Sequence, residues 1–114
     1  MGEIFREIVI NTRDSWVDPR TISTKPVKNQ AKIEHIIVIN NTSPTKKIRV
    51  GIMTSEAEFD KNPIKDWADV EKDAPRSITE TVNLMKGDRI YATFTGAEKY
   101  SDLRLQVHGE YTDT

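Results

Sequence analysis

The chain has 114 residues, with 17 Lys and Arg against 18 Asp and Glu, a net charge of −1 and no cysteine. That length suits one domain rather than two, and the balanced charge disfavours a dedicated duplex-DNA binder, whose affinity comes largely from neutralising phosphates. The missing cysteine excludes disulfides, thiolate metal sites, iron–sulfur clusters and a cysteine nucleophile.

Hydrophobic residues make up 36% of the sequence, and clusters such as Ile36-Ile37-Val38-Ile39 set it apart from disordered chains. The opening MGEIFREIVI carries acidic residues, no long apolar run and no small-residue cleavage site, so it does not read as a signal peptide. Arg6 stands where a myristoylation pattern needs Ser or Thr. No apolar stretch approaches the roughly 20 residues of a membrane helix. The expectation is a cytosolic origin.

Alternation predicts a first strand over Glu3 to Ile10, with Ile4, Ile8 and Ile10 on one face and Phe5 and Val9 on the other. A turn-rich segment with Trp16 and Pro19 follows, then a short strand over Thr21 to Thr24 that Pro26 ends. The span 11–32 reads as a long loop or as an arm that orders on contact. Ala31 to Asn40 gives the strongest strand signal. Strict alternation places Ile33, His35, Ile37 and Ile39 on one face and Ile36 and Val38 on the other, as for a central strand covered on both sides. Asn40 to Thr45 supplies turn residues. Lys46 to Thr54 then completes a hairpin, with Ile48, Val50 and Ile52 alternating against Lys47, Arg49 and Gly51.

Ser55 to Pro75 is acidic and breaks the strand rhythm. Ile64, Trp67 and Val70 recur at every third position, which predicts a short helix over Ile64 to Lys72 with Pro63 near its start. The alternative is a long surface loop pinned by Trp67. Strand character returns over Ser77 to Leu84, and Met85 to Asp88 reads as a tight turn with Gly87 at positive φ. Strands over Arg89 to Thr95 and from Leu103 to near Tyr111 complete the chain. Short strands with Gly, Pro and Asn turns, and no helix–strand alternation, predict an all-β antiparallel sandwich or small barrel with at most one short helix. Residues 1–114 form one domain on this reading.

Few residues carry chemistry. His35 and His108 sit in separate predicted strands and in no recognised motif; with a carboxylate they would bind a metal only if the strands were neighbours. Asp60, Asn62 and Asp66 lack the central Gly and terminal Glu of a calcium loop. No glycine loop suits a phosphate. Asn40-Asn41-Thr42-Ser43 contains overlapping glycosylation sequons, read here as turn chemistry. Basic residues cluster at Lys25, Lys28 and Lys32 and at Lys46, Lys47 and Arg49, without interleaved aromatics for stacking bases. The expected class is therefore non-enzymatic, with no cofactor, no metal and no membrane or nucleic-acid partner.

Two stretches carry a resemblance. One is Lys32 to Thr42 followed by Lys47 to Ile52; the other is Val82 to Ala92 followed by Leu103 to Tyr111. The first resembles the interface strand, Asn-Thr turn and charged strand of small tailed-phage head-decoration and tail-associated β-sandwiches. The second resembles their ending of Leu, Gly-Asp, Ile-Tyr-Ala and Val-x-Gly. Together they cover about half the chain. The resemblance implies a virion accessory protein, in the virion or the host cytoplasm, with a capsid or tail lattice as partner and self-association by symmetry. It implies no particular site residue. The alternative from another class is a carbohydrate- or other ligand-binding module, in which Trp16, Trp67 and Tyr100 would stack on sugar rings. A metal-assisted enzyme using His35 and His108 is the third.

Overall fold

The alternating residues fold as strands whose apolar sides meet between two layers. The computed structural model describes residues 3–11, 17–54 and 61–112. Among these are nine strands: β1 (Ile4–Asn11), β2 (Arg20–Ser23), β3 (Ala31–Asn40), β4 (Thr45–Met53), β5 (Lys61–Val70), β6 (Arg76–Ile78), β7 (Val82–Leu84), β8 (Arg89–Thr95) and β9 (Leu103–Tyr111). One sheet runs β1-β9-β3-β6, with β7 also paired to β3; the other runs β2-β8-β4-β5. Every pairing is antiparallel. The two sheets pack as a β-sandwich. Phe5, Ile33, Ile36, Val38, Leu103, Leu105 and Val107 of the first sheet meet Ile22, Ile48, Val50, Ile90, Ala92 and Phe94 of the second, all buried.

One irregularity reassigns the faces of β3. Its register with β9 shifts between Ile33 and His35. An extra residue in a ladder puts two successive side chains on the same side, so alternation restarts. Ile33 faces inward with Ile36 and Val38, while Ile37 and Ile39 turn outward with His35. Strict alternation had placed Ile33 with Ile37 and Ile39. The same shift splits the single strand expected over Ser77 to Leu84: β6 pairs with Ile36–Val38 beyond the bulge and β7 with Ala31–Ile33 before it. Gly109 lies opposite Ile33, and a Cβ there would overlap the Lys32 carbonyl, so the bulge requires glycine.

The predicted helix over Ile64 to Lys72 is instead strand β5, at the edge of the second sheet beside β4. Its period of three has another origin. Asp69 takes φ +51° between Trp67 and Val70, so that both turn toward the core. Ile64, the third member of the pattern, is exposed. Pro63 has no N–H to give a ladder, and it stands at the register shift opposite Gly51, on an edge strand.

Two loops behave as their residues require. Gly87 takes φ +92°, and Met85 N–H donates to the Asp88 side chain within that turn. The Asn40 side chain is buried, accepts from Thr42 and Ser43 N–H, and donates to the Ser43 and Thr45 hydroxyls. Ser43 in turn meets Ser101, tying the β3–β4 turn to the β8–β9 connection. The hairpin expected from Ala31 to Thr54 does not form: β3 pairs with β6, β7 and β9 while β4 pairs with β5 and β8, so this turn carries the chain from one sheet to the other.

Candidate interaction surface

Three of the seven exposed large apolar residues among the described ones lie on one element. Ile4, Ile8 and Ile10 of β1 are 70%, 49% and 53% exposed, while the alternate Phe5 is buried. They lie on the outer face of the five-stranded sheet. Register places Ile8 beside Gln106 and then Ile37, and Ile10 beside Arg104 and then Ile39. Two isoleucine rows therefore flank the polar outer side of β9. The sequence carried a signal for this: β1 is apolar on both faces, and a sandwich strand needs only one.

β1 is also the edge of its sheet. Its ladder to β9 runs from Ile4–Glu110 to Asn11–Leu103 without a shift. Tyr111 N–H donates to the Glu3 carbonyl, which fixes the hydrogen-bond phase. In an antiparallel ladder bonded and non-bonded pairs alternate, so Phe5, Glu7 and Val9 bond to β9. Ile4, Arg6, Ile8 and Ile10 aim their N–H and C=O groups away from it. No backbone partner meets those groups among the described residues.

The other edges are blunted. β2 has 4 residues, and β6 and β7 have 3 each. β5 is long but carries Pro63, a register shift, the left-handed Asp69 and exposed charges. These are devices that discourage strand addition. β1 has no proline, no register shift and no left-handed residue, and Arg6 is its one exposed charge.

A groove of about 590 Å³ runs beside β1, lined by Glu3 to Ile8 on one side and Lys25, Pro26 and Lys28 on the other. The Lys28 ammonium bonds Glu3 at 3.0 Å and lies 5.1 Å from the centre of the Tyr111 ring. The Glu3 hydrogen bond and charge hold the Lys28 amine above its ordinary value. Lys25 N–H donates to the Glu7 carboxylate. The groove is open and lined by side chains of both charges.

The residues singled out from the sequence are dispersed. Trp67 is half-buried against the core, with the Lys65 ammonium 5.7 Å from its ring centre. Tyr100 is 56% exposed in the β8–β9 connection, at φ +62°. No ring contact joins the two among the described residues. Trp16 lies outside the described residues. His35 and His108 are direct cross-strand partners on the outer face, with Arg6 next in the row. No group of three His, Asp or Glu side chains placed to hold a metal occurs among the described residues. The basic clusters are largely paired: Lys28 with Glu3, Lys32 with Glu34, and Lys47 and Arg49 with Asp66. Tyr91 and Phe94 are both buried, on opposite sides of β8, so neither offers a stacking platform. Asn40, the first sequon asparagine, has its side chain buried and bonded within the turn.

No protein-family model matches the chain, and no curated protein matches it. Among solved structures it is similar to a chain from Bacteroides thetaiotaomicron VPI-5482 provisionally described as an alpha-L-fucosidase, with a TM-score of 0.57 and 6% identity over 89% of this chain. This chain spans about a fifth, 21%, of that one. It is also similar to the K2 cleaved adhesin domain of Lys-gingipain, with a TM-score of 0.50 and 11% identity over 90% of this chain and 69% of that one. A pilus subunit from Bacillus endospore appendages aligns over 98% of this chain and 92% of its own, at 9% identity and a TM-score of 0.43. At these identities the likeness concerns the fold.

Proposed function

We propose that this chain is a non-enzymatic assembly module, an accessory protein of a repeating particle such as a tailed-phage capsid or tail. It would attach through the outer face of its five-stranded sheet. The observation that carries this reading is the concentration of exposed isoleucine on β1, next to an edge whose outward backbone groups have no backbone partner among the described residues. Large side chains exposed in a row on a regular strand mark an interaction surface in a soluble domain. The half-buried Ile37 and Ile39 extend it across the sheet. The resemblance of Lys32 to Thr42 with Lys47 to Ile52, and of Val82 to Ala92 with Leu103 to Tyr111, to phage accessory sandwiches supplies the kind of partner. A lattice offers many copies of one site, so a modest patch is enough when it is used repeatedly.

Size fractionation tests this in the organism that carries the gene. A tagged chain is expected to travel with megadalton particles that protect DNA from nuclease, and Ile4→Lys with Ile10→Lys is expected to release it. Recovery of the wild type only as a small free protein counts against the reading.

The sugar-binding alternative rests, among the described residues, on Tyr100, since Trp67 is packed and capped by Lys65. Binding to an immobilised glycan panel that disappears in Tyr100→Ala would favour it over assembly.

A further inference from the structure

We propose that two copies of this chain join edge to edge through β1, antiparallel, about a two-fold axis at Ile8. This rests on the reading of the β1 face as an assembly surface and names a second copy as an occupant. The edge has what self-pairing requires. The N–H and C=O groups without a backbone partner among the described residues belong to Ile4, Arg6, Ile8 and Ile10, the residues whose side chains face outward. An antiparallel mate must supply the same set in the opposite direction, and a two-fold axis does that with one surface.

Charge and facing select the register. A mate shifted by an odd number of residues would set inward side chains against outward ones, which a two-layer structure does not tolerate. Registers centred on a residue keep the faces matched. Centring on Arg6 places the two guanidinium groups opposite one another, and centring on Glu7 does the same with carboxylates. Like charges directly across a ladder destabilise it. An axis at Phe5 sets Glu3 against Glu7, and an axis at Val9 shortens the overlap. An axis at Ile8 pairs Ile8 with Ile8, Arg6 with Ile10, Glu7 with Val9 and Phe5 with Asn11, so no like charges meet. On the outer face the Ile8 and Ile10 side chains of both copies then form one cluster, with Gln106 and Arg104 of β9 between it and Ile37 and Ile39. The two five-stranded sheets become one.

Sedimentation or light scattering over a concentration series tests the pairing. The wild type is expected at twice 13.0 kDa. Ile8→Lys puts two ammonium groups at the axis and is expected at the single mass, with an unchanged far-ultraviolet dichroism spectrum. Should that variant fail to fold, cross-linking replaces it. The chain has no cysteine, so Ile8→Cys is expected to give a disulfide-linked dimer on mild oxidation, while Asn83→Cys, on the far side of the sheet, is expected to stay monomeric. A wild type of single mass at every concentration, an Ile8→Lys variant that still dimerises, or equal cross-linking at both positions overturns the proposal. A monomer that still travels with particles would sink the self-pairing alone, whereas a dimer that never does would sink the particle reading alone.

Discussion

At the scale of single residues, Asn40 shows how turn chemistry and burial reinforce each other. Its amide accepts from two backbone N–H groups and donates to two hydroxyls, all in one turn. Asn40→Ala strands those groups, and each buried donor left unpaired costs on the order of 1–3 kcal/mol. The expected loss is about 2–3 kcal/mol in a urea titration. Asn40→Asp keeps the accepting oxygen and should lose less. The turn was legible in the sequence because Asn, Ser and Thr there have few other uses. Asp66 makes a pH-dependent contribution. Its carboxyl sits below the usual carboxylate range because Arg49 hydrogen-bonds it, with the charges of Arg49 and Lys47 assisting. A lowered folded value means stability that is present above the ordinary carboxylate range and lost as pH falls through the folded value. The gap in denaturation midpoint between wild type and Asp66→Asn should therefore be small at neutral pH, where exposed pairs contribute little, and should close on acidification. A gap that widens in acid would contradict the assignment.

At the scale of elements, the regular strands were legible and the irregular ones were not. β1, β4, β8 and β9 follow alternation closely, and their limits lie near those read from pattern. The bulge in β3 leaves no local mark, because Ile33, Ile36 and Ile37 are equally apolar and any assignment of faces satisfies the composition. What betrays it lies on another strand, at Gly109, whose missing side chain admits the Lys32 carbonyl. Gly109→Ala is expected to destabilise the fold by roughly 3 kcal/mol, the upper part of the range for overpacking, with a drop in thermal midpoint as the readout. β5 was misread because a left-handed residue inside a strand imitates helical spacing, as at Asp69. Asp69→Gly relieves that conformation, since glycine adopts positive φ freely, and is expected to leave stability unchanged or slightly raised. The candidate surface was half legible. Both faces of β1 were visibly apolar, but which one met water depended on how the sheets close.

At the scale of the whole molecule, the sandwich leaves one long, regular edge without proline, register shift or left-handed residue, and that contrast with β2, β5, β6 and β7 gives the surface its meaning. Tyr100, exposed in a loop outside that surface, is expected to tolerate alanine within about 0.5 kcal/mol by chemical denaturation, and to leave self-association intact. Strand order also constrains how the molecule comes into being. The ninth strand lies between the first and the third. On a ribosome it emerges after all the others, so through most of synthesis β1 and β3 each wait with an open flank, and Leu103, Leu105 and Val107 are missing from the core. The nascent chain thus carries two open flanks besides the outer edge of β1 that the finished protein keeps. Closure comes as a single late event, and the timing of release decides whether β1 first meets its own β9 or a neighbouring chain.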